Sequence, residues 1–124
     1  MKDKRPVNLD LTQFSFPLPA LTSIVHRVTG VALFVAVAIL MYFFELSLSG
    51  EEGFNTAKEC LSGVFVKLVM WGIVSALLYH LVAGIKHLLM DAGIGETLEG
   101  GVLGAKIVIA ISVVLILLAG VWIW

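Results

Sequence analysis

The sequence predicts an all-α membrane protein with three transmembrane helices. Of its 124 residues, 60% are hydrophobic, and the mean hydropathy of +1.05 exceeds what suits one soluble domain of this size. Three apolar windows, at about residues 20–46, 61–90 and 103–124, each exceed the roughly 20 residues that cross about 30 Å of hydrocarbon. Because these runs are long and continuous, they favour helices over the short alternating strands of a barrel.

Residues 1–19 precede the first span and are expected to form a cytoplasmic or interfacial segment. Apolar and polar residues alternate here, and Pro17 and Pro19 close the stretch. No small-residue cleavage site follows the basic start at Met1–Arg5, so the pattern does not indicate a removed signal peptide. The first helix is then expected to begin with Thr22 or Ser23 as its cap.

Glycine-rich stretches predict the breaks between the spans. Ser49 and Gly50 follow the first span, and glycines recur from Gly93 to Gly101 between the second and third. The segment from Glu45 to Cys60, with its glutamates, is expected to be a solvated loop.

The basic residues predict how the chain is oriented. A three-span arrangement places six of the eight lysines and arginines on the side of the N-terminus and the second loop: Lys2, Lys4, Arg5, Arg27, Lys86 and Lys106. Only Lys58 and Lys67 fall on the other side. The N-terminus is therefore expected in the cytoplasm or its organellar equivalent, and Trp122 and Trp124 at the opposite membrane surface.

Several classes of function are disfavoured. The net charge of -1 gives no electrostatic case for nucleic acid. Cys60 is the only cysteine, so any iron–sulfur cluster must lie on another subunit. A non-redox membrane protein, such as a transporter subunit or an assembly scaffold, remains an alternative, but no acidic residue lies deep in a span to couple ion movement.

His80 is the first candidate site residue. It lies about 15 Å along the helix from Met90, at a depth where an imidazole needs a partner. That partner is either a hydrogen-bonding group on a neighbouring helix or a metal. Gly84, one turn further on, leaves an open patch where a flat group such as haem could reach the backbone.

Two other histidines are candidate ligands. His87 lies about 10.5 Å along the axis from His80, which excludes a shared zinc ion and leaves a surface role or a contact with a charged haem edge. His26 could ligate the same iron from the first helix, but it is expected several ångströms shallower than His80, beside Arg27. The second axial ligand of a haem iron is therefore expected from another chain.

Four residues of the first span share one face, at spacings i, i+3, i+4 and i+7: Ser23, His26, Arg27 and Gly30. With an apolar floor of Ile24 and Phe16, this cluster would suit a lipid-soluble molecule with a hydrogen-bonding head. Arg27 would favour a partly anionic intermediate. The alternative for Arg27 is a snorkelling anchor that only orients the protein.

Three segments resemble the motifs of the cytochrome b subunit of succinate dehydrogenase: Arg5-Pro6-Val7-Asn8-Leu9-Asp10-Leu11, Ser23–Gly30 with its SxxHR and following Thr-Gly, and His80–Gly93 with its HxxxG followed by Lys, His and Asp. The resemblance covers nearly the whole chain. It implies a membrane-anchor subunit of complex II in a bacterial inner membrane, with a periplasmic C-terminus. This chain would form half of a haem-binding anchor bundle that a second subunit completes.

The same resemblance implies the roles of individual residues. His80 would be an axial ligand of haem b, and the other axial histidine would belong to the second membrane-anchor subunit. Ser23 and Arg27 would bind ubiquinone as substrate, with Ile24 and Phe16 as apolar wall. The positions near the haem and its propionates would be His26, Arg27, Gly84 and His87.

The remaining cofactors would lie on partners that the resemblance also implies. A flavoprotein subunit would hold FAD, an iron–sulfur subunit would hold the clusters, and membrane lipid would surround the spans. One departure is Lys86, where the family usually has arginine. Lysine cannot make a planar two-point contact with a carboxylate, so this position does not predict a bidentate contact with a propionate. The direction, succinate oxidation or fumarate reduction, is left open.

Overall fold

The computed structural model describes residues 17–124, and within them the prediction of an all-α, three-span protein is confirmed. The helices are α1 (Leu18–Leu48), α2 (Glu51–Ser62), α3 (Val64–Asp91) and α4 (Leu98–Ile123). Of these, α1, α3 and α4 are long and apolar enough to cross a membrane. Phe16 and the other residues from 1 to 16 lie outside the described part of the chain.

The helix α2 occupies most of the segment that was expected to be a loop, and that expectation was wrong. Its first turn carries Glu51 and Glu52, whose negative charge stabilises a helix N-terminus. Ala57 is buried, and α2 contacts both α1 and α3. The glutamates are exposed as predicted, so the polar composition indicated the solvation correctly but not the helix.

The first span starts earlier than expected and is capped differently. Pro17 is the N-cap of α1, and Pro19 sits in the first turn, where the missing amide hydrogen costs nothing. Neither Thr22 nor Ser23 caps the helix. Instead the Thr22 hydroxyl donates to the Pro19 carbonyl at 2.9 Å, inside the helix.

The reversal between α3 and α4 uses fewer glycines than the sequence suggested. Gly93 and Gly95 adopt φ values of 89° and 72°, which favour glycine, and they make the turn. The helix α4 then begins at Leu98, because the Thr97 side chain accepts a hydrogen bond from the Gly100 amide at 3.0 Å. Gly100 therefore lies inside the helix and does not break it.

The three spans pack through small residues. Ala36, Ala83, Ala105 and Ala119 are among the buried positions, whereas most large apolar side chains are exposed on the outside. Small residues let transmembrane helices approach closely. Such close packing holds the helices together, because lipid provides no hydrophobic driving force between them. α1, α3 and α4 contact one another pairwise, and this bundle positions the site.

Candidate functional site

Helices α1 and α3 bring three histidines together. The rings of His26 and His80 are stacked, with centroids 4.0 Å apart and an interplanar angle of 10°. The His87 ring lies 5.0 Å from that of His26, at a tilt of 54°. The prediction that His26 lies several ångströms shallower than His80 stays a prediction. The contacts agree with its direction, because His80 lies against Gly30, one turn further along α1 than His26.

The Nδ1 atom of His80 is held by α1. It lies 3.0 Å from the backbone carbonyl of His26 and 3.1 Å from the hydroxyl of Thr29. A carbonyl can only accept, so Nδ1 must carry the proton and donate it. The Thr29 hydroxyl gives its own proton to the same His26 carbonyl at 2.9 Å. The neutral imidazole of His80 therefore has an unprotonated Nε2, which is the form that binds a metal.

Each of the stacked histidines lies against a glycine of the opposite helix. A Cβ atom on Gly30 would lie 3.1 Å from Cε1 of His80, and one on Gly84 would lie 3.6 Å from Nε2 of His26. The patch expected beside His80 at Gly84 is thus where His26 packs. Sequence reasoning missed the role of Thr29, whose spacing of three residues from His26 was the available signal.

The residues on the α1 face that was expected to bind quinone differ in their surroundings. His26 and Gly30 point toward α3, whereas Arg27 and Ile24 are exposed and Ser23 is half-buried. Among residues 17–124, the side chains of Ser23, His26 and Arg27 therefore do not converge on one enclosed pocket. Phe16, expected as apolar wall, lies outside the described residues.

Tyr79 joins the two helices next to this face. Its hydroxyl donates to the backbone carbonyl of Thr22 at 2.6 Å. Tyr79 precedes His80 and Thr22 precedes Ser23, so this bond fixes the position of the α1 segment relative to the histidine cluster. No sequence signal pointed to it, because the acceptor is a backbone group.

Lys86 points away from the histidines. Its stem runs along Gly104 of α4, where an added Cβ would lie 3.2 Å from Cε of the lysine. Positions 80, 84 and 87 occupy the α1 side of α3, and position 86 lies well round the helix from them. For Lys86 to contact a haem propionate, its side chain would therefore have to leave α4 and turn toward α1.

Comparison with known proteins decides the family. The family described as succinate dehydrogenase/fumarate reductase transmembrane subunit matches residues 1–119. This chain belongs to that family. Succinate dehydrogenase/fumarate reductase transmembrane subunits similar to it include the succinate dehydrogenase cytochrome b556 subunit of Coxiella burnetii, which is 43% identical over the full length of both chains.

Other relatives extend the similarity beyond one bacterial lineage. The cytochrome b556 subunit of Paracoccus denitrificans is 32% identical over 94% of this chain and 90% of its own. The mitochondrial cytochrome b560 subunit of Sus scrofa is 37% identical over 76% of this chain and 57% of its own.

The donor set of this transmembrane subunit fits a haem better than an isolated metal ion. Within residues 17–124, no three His, Cys, Asp or Glu side chains are arranged to hold a metal ion. The rings of His26 and His80 are stacked face to face with centroids 4.0 Å apart, which leaves no room for one iron between their ring nitrogens. One of them can serve as a ligand, and porphyrin nitrogens and a residue from elsewhere would complete the iron.

Proposed function

We propose that this transmembrane subunit is the cytochrome b anchor of a succinate:quinone oxidoreductase and that His80 is an axial ligand of haem b. The observation that supports this is the hydrogen bond from Nδ1 of His80 to the His26 carbonyl, which leaves the lone pair on Nε2 to coordinate iron. Metal-ligating histidines are commonly oriented by such a bond from the other ring nitrogen. Haem b, when bound, supplies a carrier for single electrons.

The residues around His80 have supporting roles in this proposal. Thr29 and the His26 carbonyl hold the ring and its tautomer. His26, Arg27 and His87 would lie near the propionates, with Gly84 beside the haem. The second histidine ligand would come from a second membrane-anchor subunit, which agrees with the face-to-face stacking of His26 on His80 in this chain.

We further propose that α1 forms part of the ubiquinone reduction site. Ser23 would donate a hydrogen bond to a quinone carbonyl, and Arg27 would stabilise the negative charge that develops on the quinone oxygen. Ile24 and Phe16 would contribute apolar wall. The exposure of Arg27 and Ile24 supports a site completed by other subunits, because neither side chain is enclosed by residues 17–124.

The proposed partners are a flavoprotein subunit with FAD, an iron–sulfur subunit and the second anchor subunit. The names of the relatives favour succinate oxidation over fumarate reduction. Alone, this chain is expected to have no activity. The proposed location is the bacterial inner membrane, with the N-terminus in the cytoplasm and the C-terminus in the periplasm.

A reduced-minus-oxidised spectrum of the purified complex tests the haem assignment. His80→Ala should abolish the b-type band or shift its maximum and midpoint potential, because the axial nitrogen is removed. Leu81→Ala is the control, since it truncates an exposed neighbour of His80 on α3 that is not part of the histidine cluster, and it should leave the band intact. A spectrum unchanged by His80→Ala would remove His80 as a ligand.

A further inference from the structure

A groove of about 490 Å³ runs between α3 and α4, on the side of α3 that faces away from the histidine cluster. Lys86 is the one charged residue among the thirteen that line it. The others are apolar side chains or glycines, and they include Val82, Leu89, Leu103, Ile107 and Ile111. Both walls are helices long and apolar enough to cross a membrane, so the groove lies along the spanning part of the chain.

The length of the groove matches one leaflet of a bilayer. Along α4 its lining extends from Gly100 to Ile111, which corresponds to about 16 Å at 1.5 Å per residue. The hydrocarbon core is about 30 Å thick, so the groove covers roughly half of it. It begins at Gly95, in the turn after α3, which is the end of the groove that would meet the lipid headgroups. An extended acyl chain that enters from this surface would follow the groove to the bilayer midplane.

Lys86 gives the groove a charge preference. Gly104 has no side chain, so the lysine stem lies flat against α4, as the 3.2 Å separation from a hypothetical Cβ shows. A cation in an apolar setting is costly without an opposite charge, and no acidic side chain lines this groove. The lysine is five residues before the end of α3 at Asp91, within reach of the headgroup layer by snorkelling.

We propose that this groove binds one anionic glycerophospholipid, with an acyl chain along the apolar wall and the phosphate paired with Lys86. The proposal does not depend on haem or quinone binding, because the groove lies on a different face of α3. A helix of a partner subunit would fill the same space but would need its own acidic group to satisfy the lysine.

The test uses the intact complex, purified in detergent and exchanged with equal amounts of phosphatidylglycerol and phosphatidylcholine of the same acyl composition. Native mass spectrometry counts each lipid retained. The wild type should prefer phosphatidylglycerol, and Lys86→Gln should lower that preference roughly fivefold, the contribution of one lysine near an anionic headgroup. Lys86→Arg should keep it.

Lys106→Gln is the matched control, because Lys106 is exposed on the same helix pair but does not line the groove. It should retain the wild-type preference. Equal retention of the two lipids by the wild type, or an equal preference in the wild type and Lys86→Gln, overturns the proposal. A partner helix or a quinone tail found in the groove of the assembled complex overturns it as well.

Discussion

The imidazole rings of His26 and His80 lie face to face, 4.0 Å apart, although the two residues come from different helices. A hydrogen bond also connects the two residues, because Nδ1 of His80 donates to the backbone carbonyl of His26. α1 therefore fixes both the tilt of the His80 ring and its protonation pattern.

Replacement of Thr29 by valine should weaken haem retention without removing the ligand. Valine has a similar shape but cannot accept from Nδ1 of His80, so the ring keeps only the His26 carbonyl as partner. Loss of such a supporting hydrogen bond costs about tenfold or more in metal affinity. Haem content per complex and the midpoint potential measure this effect. Thr29→Ser, which keeps the hydroxyl, is the control, and identical values for both variants would contradict the role of the hydroxyl.

Replacement of Gly30 by alanine should change the haem spectrum. The new Cβ would lie 3.1 Å from Cε1 of His80, closer than ordinary contacts, so the ring must move by a few tenths of an ångström. The matched control is Gly72→Ala, where an added Cβ meets nothing within 4 Å. Both variants gain helix propensity, so a difference between their spectra reports contact with the ring. Two unchanged spectra would show that the close approach at Gly30 is unimportant.

Replacement of Arg27 by alanine should depress quinone reduction far more than electron transfer to a soluble dye that accepts from the iron–sulfur side. The reason is that Arg27 is proposed to act on the quinone and not on the upstream centres. A loss of roughly two orders of magnitude is expected, similar to that of removing one charge-stabilising donor. Arg27→Lys should recover part of the rate. Equal losses in both assays would assign Arg27 to assembly alone.

The proposed orientation predicts that Cys60 is accessible from the periplasm. Cys60 is the only cysteine of the chain, and it is exposed near the end of α2. A membrane-impermeant maleimide added to intact cells should label this subunit, and Cys60→Ser should abolish the label. Labelling that appears only after the cells are opened would reverse the assigned topology.

The sequence predicted the parts of the fold that depend on local composition. Each span is an apolar run longer than the membrane is thick, so the three long helices could be recognised individually. The helix α2 was missed because its twelve residues are too short and too polar to give such a run, and its contacts with α1 and α3 are not visible in the sequence.

The candidate site was less predictable because it depends on how two helices are rotated against each other. Spacing placed His80, Gly84 and His87 on one face of α3. It could not show that His26 would cover Gly84, or that Thr29 and a backbone carbonyl would hold Nδ1. Lys86 is one residue from His87 in sequence, yet it packs on α4.

Gly30 and Gly84, at the α1–α3 contact, each leave the space that one imidazole ring occupies. A shift of either helix by one turn would move each ring away from its glycine. The two contacts therefore favour a single register of α1 against α3. Arg27 follows His26 directly, so a movement of this part of α1 would also move the carbonyl group that holds Nδ1 of His80.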